Sequence, residues 1–112
     1  MPEHAETEAT HHTGVAEVWS KVAGIIATVV RWVGLVIAII LVLRVLLTVG
    51  GANPGNGITS FVNSWSDPLA WGFKDLFTPS DLKLRVLVNY GIAAIFWLIV
   101  SSVLARIFRR LG

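Results

Sequence analysis

The chain has 112 residues, 54% of them hydrophobic and 14% charged, with a net charge of +2 and a mean hydropathy of +0.71. A water-soluble domain carries about a quarter charged residues, and at this length it lacks the interior volume to hide so much apolar side chain, so lipid is the simpler solvent. The absence of cysteine excludes disulfides, thiolate metal sites and a cysteine nucleophile.

Residues 1–14, MPEHAETEATHHTG, hold Glu3, Glu6 and Glu8 and no large apolar residue after Met1. That composition predicts a solvated, disordered tail. It lacks the basic stretch followed by a short apolar run that marks a secretory signal. His4, His11 and His12 are unconstrained in such a tail, and no metal site is expected of them.

A long helical pattern starts at Val15, and residues 15–50 form the first membrane segment. Glu17, Lys21, Thr28 and Arg31 fall on one stripe at 100° per residue, and Glu17 and Lys21 make a favourable i,i+4 pair. Beyond Arg31 the stripe gives way to WVGLVIAIILVL. An amphipathic lead-in over 15 to about 27 therefore feeds a spanning helix. From Val15 to Val49 the helix is about 50 Å long against a hydrocarbon core of about 30 Å, so part of it stands outside the core.

Residues 51–78 are the connector. GGANPGNG is turn chemistry. Ile58, Phe61, Val62, Trp65, Leu69, Phe73 and Leu76 then recur at helical spacing. Asp67 before Pro68 reads as a cap followed by a first helical position. Two short amphipathic helices are expected, over about 57–66 and 68–77. They would lie in the membrane interface and be anchored by Trp65, Trp71, Phe73 and Phe77.

Residues 79–110 carry the second span. Twenty uncharged residues separate Arg85 from Arg106, the length a transmembrane helix needs. Thr78 is the expected N-cap, with Pro79 at the first helical position and Asp81 near the positive end of the dipole. Arg106, Arg109 and Arg110 suit the C-terminal carbonyls or phosphate headgroups. Small residues mark candidate helix contacts at Gly34 and Ala38, Gly24 and Thr28, and Ala94, Ser101 and Ala105.

Topology follows from the basic residues. The end bearing both termini carries Lys21, Arg31, Arg106, Arg109 and Arg110, against Lys74, Lys83 and Arg85, with Arg44 at depth, on the connector side. Both termini of this multi-pass protein are thereby expected in the cytoplasm. Arg31 and Arg44 are thirteen residues apart, about 20 Å along a helix, so they cannot both sit at the edges of the core. Helical side chains lean toward the helix N-terminus, which aims Arg31 at its near surface and Arg44 at the bilayer centre. Arg44 therefore either snorkels back or takes a partner from Asp67, Asp75, Asp81 or Asn89. A transport role for Arg44 would call for ionisable groups on the facing span, which has none.

No enzyme constellation emerges. GGANPGNG lacks the Lys-Ser/Thr of a phosphate loop, and no serine sits in a nucleophile elbow. No catalysis, cofactor, small-molecule substrate or nucleic acid is expected, and the partners are the lipid bilayer and other membrane protein subunits.

LRVLL, a turn containing Asn53 and Pro54, FVNSWSDPLAWGFKDLF and then a second span resemble the YggT family of small bacterial membrane proteins. Arg44, Asn53, Pro54, Asp67, Pro68 and Leu69 carry the resemblance, within residues 44–90. Gly72 stands where that family has a second proline, and Asp81 is an imperfect match to its aspartate opening the second span. The resemblance implies an accessory or assembly factor of a membrane complex, without catalysis. The expectation is an all-α, two-span membrane protein acting through contacts as an accessory or organising subunit. The alternative is a holin-like pore- or lesion-former, which short length, two spans and a basic C-terminus also fit.

Overall fold

The computed structural model describes the backbone of residues 3–112 and the side chains of residues 14–112. It holds three α-helices, α1 (Glu3–Val49), α2 (Gly57–Ala70) and α3 (Leu82–Leu111), with a short 3-10 turn at Trp71–Phe73. No strand occurs among the described residues. Two helical stretches, Gly14–Val49 and Leu82–Leu111, are long and apolar enough to cross a membrane.

α1 is helical from Glu3, where the sequence predicts a disordered tail. Alanines and glutamates are good helix formers, which suits this composition to a helix. The three histidine side chains lie outside the described residues. At the other end the helix closes on a Schellman motif. Ala52 N–H donates to Leu47 C=O at 2.8 Å and Gly51 N–H to Thr48 C=O at 3.1 Å. Gly51 supplies the φ of +71° that this turn requires.

α1 and α3 pack antiparallel. Arg31 meets Ser102, Gly34 meets Ser101 and Arg44 meets Tyr90, so rising number on one helix matches falling number on the other. The seam is built of small residues: Ala23, Ala27, Gly34 and Ala38 on α1, and Ala93, Ala94, Ser101 and Ala105 on α3. A Cβ added at Gly34 would overlap the Ser101 side chain, so the backbones approach as closely as glycine permits. Gly24 and Thr28 do not join the seam; Thr28 is exposed and donates its hydroxyl to Gly24 C=O at 2.9 Å. The large apolar side chains face outward, among them Trp32, Val33, Leu46, Ile95 and Ile99.

The connector departs from expectation. A single helix runs through Pro68 instead of two helices meeting there. Asp67 does not cap, because its carboxylate is drawn away to Arg44, as described below. Asn56 begins the helix by accepting from Ile58 N–H at 2.9 Å. Pro68 has no N–H to offer the Ser64 carbonyl, and two residues later the helix stops. Trp71, at φ +30°, turns the chain, and its N–H closes on Asp67 C=O.

α2 does not lie across the helix ends. It descends beside the pair. Asn63, Ser66 and Asp67 stand at Arg44, and Trp65 and Leu69 share a groove with Val36, Ile37 and Ile40. At its tip the Trp97 indole N–H donates to Leu69 C=O at 2.8 Å. Trp97 is fifteen residues into α3, about 22 Å along its axis. The chain then climbs to Asp81, which caps α3 by accepting from Lys83 N–H at 2.9 Å. The cap is thus Asp81 and not Thr78, and Pro79 precedes the helix.

Candidate functional site

The polar groups of the three helices converge on Arg44. Its Nη1 lies 3.1 Å from Asp67 Oδ1, 3.0 Å from Ser66 Oγ and 3.4 Å from Asn63 C=O. The guanidinium stands 5.0 Å from the centre of the Tyr90 ring, within reach of a cation–π attraction. The Tyr90 hydroxyl in turn donates to the same Asp67 oxygen. One carboxylate therefore joins α2 to both long helices. The Arg44 side chain is 16% exposed and that of Asp67 41%, so the pair is sheltered on the α1 side and open on the other. Arg44 Nε and Asn63 Oδ1 are buried without hydrogen-bond partners among the described residues.

The other expected partners of Arg44 have separate tasks. Asp75 pairs with Arg85 at 2.8 Å in an exposed position. Asp81 is the cap of α3. Asn89, 0% exposed, accepts from Phe77 N–H at 2.9 Å and donates to Lys74 C=O at 2.9 Å and Phe77 C=O at 2.7 Å. It satisfies three backbone groups of a stretch without regular structure, which would otherwise be orphaned against the helix. Asn89 thus fastens the climbing limb of the connector as Asp67 fastens the descending helix.

Of the expected anchors, Trp65, Trp71 and Phe77 are exposed, Trp71 to 83%. Phe73 turns inward instead. Its ring packs 4.7 Å from that of Phe96 and against the core formed by Leu41, Val45, Tyr90 and Ala94. The tight 3-10 turn rotates it away from Trp71. Arg31, Arg106, Arg109 and Arg110 are exposed at the opposite end of the helix pair from the connector.

Ser66 and Trp97 belong to the site although sequence reasoning did not single them out, and so does Tyr90, which depth alone puts within reach of Arg44 without naming it as a partner. Tyr90 carried a usable signal, being next to Asn89 at the depth Arg44 reaches. Trp97 carried another, since an indole N–H within an apolar stretch needs an acceptor. Ser66 had none beyond its place before Asp67. No metal-ligand cluster of three or more His, Cys, Asp or Glu side chains occurs among the described residues. Chemically, the arrangement holds a fold-back segment in place by charge and hydrogen bonds. No family model, curated protein or solved structure matches the chain.

Proposed function

We propose that this chain is a two-span membrane protein that acts without catalysis, as an accessory or organising subunit of a larger membrane assembly. The observation that carries the membrane assignment is the inversion of side-chain size. Alanine, glycine and serine fill the helix seam while valine, leucine, isoleucine and tryptophan cover the outside. In water that surface would aggregate; in lipid, small interhelical residues and large apolar exteriors are the stable arrangement. Arg44 then lies at the level of Tyr90, four residues or about 6 Å inside the uncharged stretch of α3. The tip of α2, at Trp97, lies about 16 Å inside it, near the middle of a core of about 30 Å. On this account the connector is re-entrant, and it survives in lipid because Arg44, Tyr90, Asn89 and Trp97 satisfy its polar groups from protein.

The accessory role draws on two features. Arg44, charged and at depth, is committed to Asp67, which supports a structural use over transport. Ile58, Phe61, Trp65 and Trp71 lie exposed on the connector, a patch suited to a neighbouring subunit. The resemblance to the YggT family, with its implied assembly role, stays part of the same proposal. So do the cytoplasmic placement of both termini and the bacterial cytoplasmic membrane. Crosslinking and native mass measurement in mild detergent test the role. The expected result is a complex with other membrane proteins; a lone monomer, or leakage of dye from liposomes at modest protein-to-lipid ratio, would count against it.

A further inference from the structure

Two arginines line one cleft at the end of the helix pair remote from the connector. Arg31 Nη1 reaches Ser102 Oγ at 3.4 Å. Ser102 and Arg109 are seven residues apart on α3 and so share one face of that helix. Arg31 and Arg109 accordingly line one cleft of about 240 Å³, together with Thr28, Trp32 and Leu35. Neither arginine has a carboxylate within ion-pair distance among the described residues, where the ion pairs are Arg44 with Asp67 and Arg85 with Asp75. Two like charges lining one cleft without a counter-charge repel each other, and an anion in that cleft offsets the repulsion. Guanidinium is the side chain whose fork of donors matches a phosphate. Thr28 adds no donor, because its hydroxyl proton is already given to Gly24 C=O. The remaining walls, Trp32 and Leu35, are apolar, and Trp32 also borders the wholly apolar groove that runs along Val33, Val36 and Ile40 beneath α2.

We propose that Arg31 and Arg109 form a defined binding site for the phosphodiester of an anionic phospholipid, with the Trp32 ring at its edge and the hydrocarbon continuing along Leu35. The apolar walls distinguish this ligand from free phosphate, which would gain nothing from them. The inference rests on the membrane assignment above and adds to it a particular lipid site in place of a diffuse positive surface. Arg106 and Arg110, with the same charge at the same end, do not line the cleft and supply the control.

The test uses the full chain in mild detergent, titrated with phosphatidylglycerol or phosphatidylcholine and read by native mass spectrometry. Helix content by circular dichroism is checked for each variant. Wild type should retain phosphatidylglycerol in preference to phosphatidylcholine. Arg31→Gln/Arg109→Gln should weaken phosphatidylglycerol retention about tenfold or more, as expected for losing charge-assisted bonds to phosphate. Arg106→Gln/Arg110→Gln should change it by less than about twofold, since exposed charges outside the contact contribute little. Equal losses in the two double variants would overturn the site, as would displacement of the lipid by excess inorganic phosphate. Flotation with phosphatidylcholine vesicles separates the two levels. A chain that does not float overturns the membrane assignment and this site with it, whereas one that floats but shows no phosphatidylglycerol preference overturns the site alone.

Discussion

Replacing Arg44 by leucine removes one of the two side chains that hold Asp67 and leaves the carboxylate with only the Tyr90 hydroxyl. Breaking a fully buried ion pair by deleting one partner costs about 3–5 kcal/mol. Asp67 is 41% exposed, so part of its charge can be met by its surroundings, and about 2 kcal/mol is the appropriate figure. That corresponds to a factor of about 30 in the equilibrium between docked and open α2. Hydrogen exchange of amides across Val62–Ala70, in detergent or nanodiscs, reads this directly, and proteolysis of the connector should rise with it. The α1–α3 seam does not use the pair, so exchange across Ala93–Ala105 should stay unchanged. Removing both charges in Arg44→Leu/Asp67→Leu should cost less than the sum of the single substitutions, by about 1–3 kcal/mol. If Arg44 merely snorkels, Arg44→Leu will be neutral or protective and the double substitution additive; either outcome refutes the tie.

Three further substitutions probe the rest of the framework. Asn89→Leu deprives Lys74 C=O and both Phe77 backbone groups of their partners; a loss of about 2–4 kcal/mol is expected, seen as fast exchange at the Phe77 amide. Trp97→Phe keeps the aromatic packing but orphans Leu69 C=O, which should cost about 1–3 kcal/mol and raise exchange at the tip of α2 before it affects α3. Gly34→Leu drives a side chain into Ser101 and should push α1 and α3 apart, at about 1–3 kcal/mol; a lower thermal unfolding midpoint in detergent, with α2 opening at the same point as the long helices, checks it.

The two long helices are legible in the sequence because their signal is a sum over many residues: twenty uncharged positions between Arg85 and Arg106, and the apolar run after Arg31. The small-residue seam is legible in part, at Gly34, Ala38, Ala94, Ser101 and Ala105, because close approach leaves a compositional trace. Gly24 and Thr28 carry the same trace and are not in the seam, since spacing alone does not say which stripe faces the neighbour. The connector is where local rules mislead. Asp67-Pro68 has the form of a cap and a first helical position, yet a distant arginine and tyrosine compete for the aspartate and win. Depth arithmetic identifies Arg44 as a group in need of a partner, but four candidates satisfy it equally. Choosing Asp67 requires knowing that α2 descends beside the pair, a property of three-dimensional packing that no short window of sequence contains.

The depth of the connector tests the account most directly. The chain has no cysteine, so a single introduced thiol reports one position. A Cβ at either Gly57 or Gly72 meets no neighbour, which makes Gly57→Cys and Gly72→Cys well-tolerated sites at the start of α2 and just past its tip. With each spin-labelled in a lipid bilayer, accessibility to oxygen and to a water-soluble relaxation agent gives the depth. The account predicts the label at 57 near the aqueous surface and the label at 72 well inside the hydrocarbon, inaccessible to the water-soluble agent. Labels at equal, shallow depth would contradict it, leaving the connector on the membrane surface and the Arg44–Asp67 tie without its role.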